Sequence, residues 1–185
     1  VYNGVDIERI SSIEPDEDTA NIMNSLGSCD GIMLNVAEHS PQKNIKLLLE
    51  VVADIKRYQK DWRLIQVGSG VLTEELKRFA ESLDIHDRVR FIKHLSNDSI
   101  IKLMKTVDIV IMASQNVVFD YVILEALACG AVVMASNEGG NKEVIQDGVN
   151  GYLFESDSLD CIVKRILSYK RNVAEQATKR IGAFG

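Results

Sequence analysis

The sequence predicts an α/β fold, a Rossmann-like doubly wound parallel sheet with helices on both faces. Two observations carry that prediction. From residue 31 onward, short apolar runs alternate strictly with longer segments of helical periodicity, as repeated β–α units do. Several of the short runs are apolar throughout, as strands are when a parallel sheet is covered on both faces.

The elements follow in order. Residues 7–30 are the least regular part, with an acidic cluster at Glu14, Asp16, Glu17 and Asp18 and few apolar anchors. Ile32 to Ala37 reads as a buried strand. Ser40 and Pro41 then supply an N-cap and a proline at the first helical position. Ile45, Leu48, Leu49 and Val52 recur at helical spacing, so an amphipathic helix is expected over 41–59. Trp62 to Val67 is a second strand, ending in Gly68-Ser69-Gly70. A helix follows from Thr73, with Leu76, Phe79, Ala80 and Leu83 inward. Val89 to Ile92 is a third strand, and Asn97 opens a helix carrying Ile100, Ile101, Leu103 and Met104. Val107 to Ala113 is a fourth strand, a helix covers 121–129, and Gly130 stops it. Ala131 to Ala135 is a fifth strand. Asp147-Gly148 and Asn150-Gly151 mark turns before a brief strand at Tyr152 to Phe154, and a last helix covers 158–170.

Composition narrows the class. The 185 residues, 46% apolar and 26% charged, suit one domain with a core that needs no staple. The formal net charge of −6 argues against a duplex-binding module, so no nucleic-acid partner is expected. No run approaches the ~20 uncharged apolar residues of a membrane span. The first residues lack the basic start and apolar stretch of a signal peptide. They also lack an initiating Met, so an excised piece is expected. Cys29, Cys129 and Cys161 are odd in number and form no CxxC pair, which disfavours a disulfide framework or zinc site and favours a reducing cytoplasm. Cys129 closes an apolar helical run and is expected to be a small buried hydrophobe. His39, His86 and His94 show no metal-ligand spacing.

Doubly wound sheets bind ligands beyond the carboxyl ends of their strands, beside the topological switch point. The loops at 37–44, 68–72, 93–97, 114–120 and 136–143 are therefore the candidates. Lys43, in the first turn of the expected 41–59 helix, suits a phosphate at a helix amino terminus, or is a solvated surface lysine. Gly68-Ser69-Gly70 lets backbone approach a ligand, or is a plain tight turn. It is neither a complete GxGxxG nor a P-loop, so a generic NAD-binding domain is disfavoured. Glu125 is the only charge in an otherwise apolar helix, where an unpaired buried carboxylate costs several kcal/mol; a partner or a polar ligand such as a ribose is expected. A structural carboxylate capping neighbouring backbone is the other reading. Gly139-Gly140 before Glu143 forms an exposed turn over the same sheet edge, either meeting a ligand or simply reversing the chain.

Taken together, these segments resemble the carboxyl-terminal domain of the family-four retaining glycosyltransferases of GT-B fold, the glycosyl transferases group 1. Val1 to Asp6 resembles the family's NGVD segment, Ser40 to Asn44 its PQKG loop, and Leu64 to Gly70 its VGxG strand and turn. Asp87 to Phe91 and Ala135 to Gly151 match in order and spacing, and Leu124 to Gly130 resembles LEAMACG. The resemblance implies a single nucleotide-sugar-binding domain over 1–185, a UDP- or GDP-sugar as donor substrate, and no required cofactor or metal. It implies transfer with retention to a carbohydrate or lipid-linked acceptor, held by an amino-terminal Rossmann domain or partner subunit. It also implies polysaccharide biosynthesis in the cytoplasm, with the inner membrane face reached through that other domain. By the same resemblance Lys43 neutralises the donor diphosphate and Glu125 holds the ribose. Gly68, Gly70 and the backbone near His94 border the base, and Asp120 sits where a glycine faces the phosphates.

Three positions depart from the family pattern. An arginine usually precedes the loop lysine by five positions, where this chain has Glu38. A glutamate usually stands eight positions before Glu125, where this chain has Val117. Asp120 replaces the glycine between them. A single charge contact at ~4 Å is worth about 1–4 kcal/mol, so a carboxylate in place of a cation weakens diphosphate binding if it faces the ligand. Two expectations follow: a donor-binding half of an active transferase, or a degenerate relative serving as a binding or regulatory subunit of a partner.

Overall fold

The computed structural model describes residues 5–169. Residues 1–4 of the NGVD-like segment, and residue 170 at the end of the expected last helix, lie outside the described residues. Six strands form one parallel sheet: β1 (Gly31–Val36), β2 (Trp62–Val67), β3 (Val89–Ile92), β4 (Ile109–Met112), β5 (Val132–Ser136) and β6 (Tyr152–Phe154). Their order is β3-β2-β1-β4-β5-β6. The chain steps outward from β1 to β3, returns, and steps outward on the other side from β4 to β6. The switch point therefore lies between β1 and β4, which pair through Met33 with Ile109 and Leu34 with Val110.

Helices cover both faces because each strand points alternate apolar side chains to opposite sides. On one face Met33, Leu64 and Ile111 pack against α3 (Ile45–Arg57), α4 (Thr73–Ser82) and α8 (Leu159–Ser168) through Leu48, Val52, Leu76, Ile162 and Ile166. On the other face Leu34, Ile65 and Val110 pack against α5 (Asn97–Met104) and α6 (Val122–Ala128) through Ile101, Met104, Ile123 and Ala126. Fully burying such a side chain stabilises the fold by about 1.5–3 kcal/mol. A short α7 (Asn141–Val144) lies between β5 and β6. Cys129 is buried, and all three cysteines are free thiols. No helix among the described residues is long and apolar enough to cross a membrane.

Two expectations need correction. The stretch 7–30 is not irregular: it forms α1 (Ile7–Ser12) and α2 (Glu17–Asn24), capped by Asp6 and Asp16, whose carboxylates accept from the amides of Arg9 and Thr19. Asp16 also pairs with Lys102 of α5 at 2.5 Å, so part of the acidic cluster pins these helices down. The helix expected over 41–59 starts at Ile45. Pro41 to Lys43 make a separate 3₁₀ turn, and Asn44 (φ 48°) reverses the backbone before α3. Ser40 precedes that turn without a side-chain capping bond. As expected, Asn97 opens α5, and Ser96 caps it.

Candidate functional site

The cleft lies where the topology places it. A space of about 560 Å³ opens over the switch point, floored by Val36 and Ala37 at the end of β1 and Met112 at the end of β4. The β2–α4 turn contributes Gly68, and the β3–α5 loop contributes Lys93 and His94. Residues 119–122, leading into α6, close the other side. Of the six candidate ligand residues, Lys43, Gly68, His94 and Asp120 line this cleft, and Gly70 and Glu125 do not. Glu38 also lines it and is solvent-exposed, whereas Val117 does not line it.

Lys43 reaches the cleft because of the local break before α3. Pro41 starts the 3₁₀ turn, Asn44 ends it, and Asn44 Nδ2 donates to Ser156 O at 3.1 Å. Gln115 N donates to Gln42 O at 2.7 Å, tying this turn to the β4–α6 loop. Across that junction the Lys43 ammonium donates to Asp120 Oδ1 at 2.7 Å. The Asp120 side chain is 1% exposed and that of Lys43 24%. Ser114 Oγ donates to the same Asp120 oxygen at 3.0 Å, and Asn141 Nδ2 donates to Oδ2 at 3.3 Å. Asp120 N donates in turn to Asn141 Oδ1 at 3.2 Å. Asp120 is thus no additional free anion beside a ligand, as its position in the motif suggested. It is a buried carboxylate already neutralised by the lysine expected to bind phosphate. Because the partners lie 77 residues apart, no local pattern announces the pair.

The glycines of the turns serve the fold. Gly68 has φ +136°, and a Cβ there would lie 2.0 Å from Ala37 O. A Cβ on Gly70 would lie 2.6 Å from His39 O. Both amides are used internally, Gly68 N–H to Ile92 O and Gly70 N–H to Thr73 Oγ1. Gly139, at φ +49°, fits beneath the carbonyl of Val117, where a Cβ would come within 2.2 Å, and Gly140 N–H donates to Val118 O at 2.7 Å. The Gly139-Gly140 turn therefore props the segment leading to Asp120. Close approach of backbone to backbone accounts for these glycines.

Glu125 is half-exposed, contrary to the buried carboxylate its apolar helix suggested. α6 buries Ile123 and Ala126 and leaves Glu125 at its flank. Its Oε1 accepts from Asn97 Nδ2 at 2.9 Å. Asn97 lines the cleft, and its Oδ1 accepts from both Arg9 Nη atoms at 3.0 Å, so Arg9 fixes which way the amide points. Arg9 also pairs with Asp98. Neither Asn97 nor Arg9 carries a sequence signal of this kind; Asn97 stood out only as a helix opener.

Under the cleft, polar side chains interrupt the apolar face that carries α3 and α4. Asn35 and Gln66 face each other across β1 and β2, and both are fully buried. Asn35 Nδ2 donates to Ile111 O at 2.7 Å. His39 is fully buried, its Nδ1 2.8 Å from Thr73 Oγ1 and its ring edge-on to Phe91. Burial, with a smaller contribution from Lys77, holds the imidazole below its ordinary pKa.

Chemically, this cleft offers an apolar floor, exposed polar groups at its rim, and balanced charge. Glu38 and Asp120 oppose Lys43 and Lys93. The sequence model of the family described as glycosyl transferases group 1 matches residues 19–182. An uncharacterized glycosyltransferase of Methanocaldococcus jannaschii is 29% identical over 189 residues, covering 98% of this chain and 48% of its own length. D-inositol 3-phosphate glycosyltransferase of Geodermatophilus obscurus is 29% identical over 195 residues, covering 98% of this chain and 42% of its own. Among solved structures, HepE of Anabaena in complex with UDP superposes with a TM-score of 0.79 at 27% identity, covering 99% of this chain and 50% of that one. The chain thus spans about half the length of these relatives, 48%, 42% and 50% respectively.

Proposed function

The chain belongs to the glycosyl transferases group 1 family, and on that premise we propose that it is the donor-binding half of a retaining glycosyltransferase. The observation that carries this reading is the cleft itself. It lies over the switch point of the sheet, where doubly wound folds take nucleotides, and it collects Lys43, Gly68, His94 and Asp120. Its likeness to HepE, solved with UDP, supports a nucleoside diphosphate sugar as the ligand. In this reading the base lies against the β2–α4 turn and the backbone near His94. The ribose hydroxyls meet the Glu125–Asn97 wall, and the phosphates reach toward Lys43.

The domain's work is to bind and orient. An apolar floor favours the base and the sugar over water, and the carboxylate and amide of the wall give hydroxyls fixed partners. The acceptor is then supplied from an amino-terminal Rossmann domain or partner subunit, and the glycosyl unit leaves the donor phosphate for the acceptor oxygen at the junction. A carbohydrate or lipid-linked acceptor in polysaccharide biosynthesis fits the family. Calorimetric titration of the complete protein with UDP, GDP and their common sugars tests this directly. Saturable binding of one nucleotide series is the expected result, and no binding by any of them refutes it.

The charge balance favours a second reading, a degenerate transferase that acts as a binding or regulatory subunit. Glu38 lines the cleft as an exposed carboxylate where the family pattern has an arginine, and Asp120 already occupies the Lys43 ammonium. In that case the triple change Glu38→Arg, Val117→Glu and Asp120→Gly creates nucleotide affinity that the unmodified protein lacks. Sugar transfer by the unmodified complete protein alone excludes this second reading.

A further inference from the structure

Asp120 is held more completely than any other charged side chain at the cleft. Its carboxylate receives Lys43 at 2.7 Å, Ser114 at 3.0 Å and Asn141 at 3.3 Å, and it is 1% exposed. Asn141, itself fully buried, is fastened from both sides: its Nδ2 also donates to Ser136 O at 3.3 Å, and its Oδ1 accepts from Asp120 N. Ser114 is fully buried as well. The acidic group is therefore fixed by elements on either side, the end of β4 and the start of α7, while Lys43 comes to it from the β1–α3 turn.

We infer that Asp120 is an internal counter-ion standing in for a ligand's phosphates, and that it makes the cleft insensitive to phosphate charge. A phosphate drawn to Lys43 competes with a carboxylate that is covalently part of the site, already desolvated, and supported by two further donors. Displacing Lys43 from it leaves that carboxylate buried without its cation, a cost any anionic ligand must overcome. Glu38, exposed and lining the same cleft, adds repulsion, and the exposed Lys93 only offsets it. Affinity then rests on the uncharged parts of the ligand: the base against the apolar floor, and the hydroxyls at the Glu125–Asn97 wall. Asp120 is thus a specificity-determining residue that levels the preference between a nucleoside and its diphosphate. This inference deepens the donor-binding reading and rests on it.

The test titrates uridine, UDP, guanosine and GDP calorimetrically into the complete protein and into its Asp120→Asn and Asp120→Gly variants. The asparagine is isosteric and retains an oxygen for Ser114 or Asn141, so it carries the comparison if the glycine variant does not fold. The wild type is expected to prefer the diphosphate over its nucleoside by less than about tenfold. Both variants, with Lys43 released, are expected to raise the preference for the diphosphate over its nucleoside by about tenfold or more relative to the wild type. If the wild type binds these ligands and the variants leave the diphosphate preference where it was, the inference is overturned and the donor reading survives. A wild-type preference of tenfold or more also overturns it. If only the variants bind, the inference falls together with the donor reading of the native chain, because the wild type then has no nucleoside affinity for Asp120 to level. Binding by none of the three overturns both. Should neither variant fold, wild-type binding at low and high salt decides: a diphosphate affinity that changes less than about threefold supports the inference, and a larger loss refutes it.

Discussion

Removing the ammonium of Lys43 while keeping its stem, as Lys43→Met does, is the sharpest probe of the Lys43–Asp120 brace. Deleting one partner of a buried ion pair costs about 3–5 kcal/mol, because the other charge is left in a low-dielectric surround. Two features of this site reduce the figure. The lysine side chain is 24% exposed, so water already screens part of the attraction. Asp120 also keeps Ser114 and Asn141 as donors. We expect a loss of about 2–3 kcal/mol. With a denaturant slope near 2 kcal/mol/M, the urea midpoint falls by about 1–1.5 M. The chain's one tryptophan, Trp62, is 4% exposed at the start of β2 and reports unfolding by fluorescence. The cycle is completed with Asp120→Asn: against a neutral asparagine, Lys43→Met should cost about 1 kcal/mol or less, and the difference is the coupling. A loss below about 0.5 kcal/mol for Lys43→Met in the native background refutes the argument that this pair is buried and mutually dependent.

Three further substitutions and conditions probe the turns, the buried imidazole and the cleft wall. Gly68→Ala forces a Cβ to within 2.0 Å of Ala37 O at φ +136°, and should destabilise by about 2–4 kcal/mol in urea unfolding; a neutral result means the β2–α4 turn is misdescribed. His39 is held neutral below its ordinary 6.5 by burial, so the unfolded chain takes up a proton before the folded one as pH falls. Its stabilising contribution is complete above that value and is lost on acidification toward the lowered folded value. The urea midpoint should therefore drop between pH 7.5 and pH 5.5, and His39→Leu should flatten that drop; an unchanged pH slope in the variant contradicts the assignment. Glu125→Gln removes charge from a half-exposed flank, so stability should change by less than about 1 kcal/mol. Affinity for the sugar nucleotide should fall about tenfold, read by calorimetry, and an unaltered affinity removes Glu125 from the ligand wall.

Much of this molecule is legible in its sequence for definite reasons. β1, β2 and β4 are buried on both faces, and their apolar runs announce it. Helices α3, α4 and α5 bury one stripe each, so their periodicity survives. Beside them, α1 and α2 escape a periodicity argument because they are one or two turns long and bury little, Ile10 in the first and Thr19 in the second. Their signal was the aspartate caps: Asp16 read as part of an acidic cluster, and Asp6 as the end of the NGVD-like segment. Glu125 misled for the opposite reason: its apolar neighbours imply burial, but a seven-residue helix packed on one face of the sheet buries only one side. The loops around the switch point follow from topology alone. The union of Lys43 with Asp120 does not, because it depends on β1 and β4 being neighbours and on two loops meeting over their ends. The glycine turns were legible as turns, while their purpose was not, since the clashing atoms of Ala37, His39 and Val117 come from other segments.

In the proposed function, the cleft over the β1–β4 switch point is the nucleotide-sugar site. Amide hydrogen exchange of the complete protein, with and without the nucleotide sugar that calorimetry selects, addresses it residue by residue. Added protection is predicted at 37–44, 67–70, 93–97 and 119–122, the segments that border the cleft, with the α8 region unchanged. Ligand binding accompanied by protection elsewhere, and none along those four segments, contradicts the account.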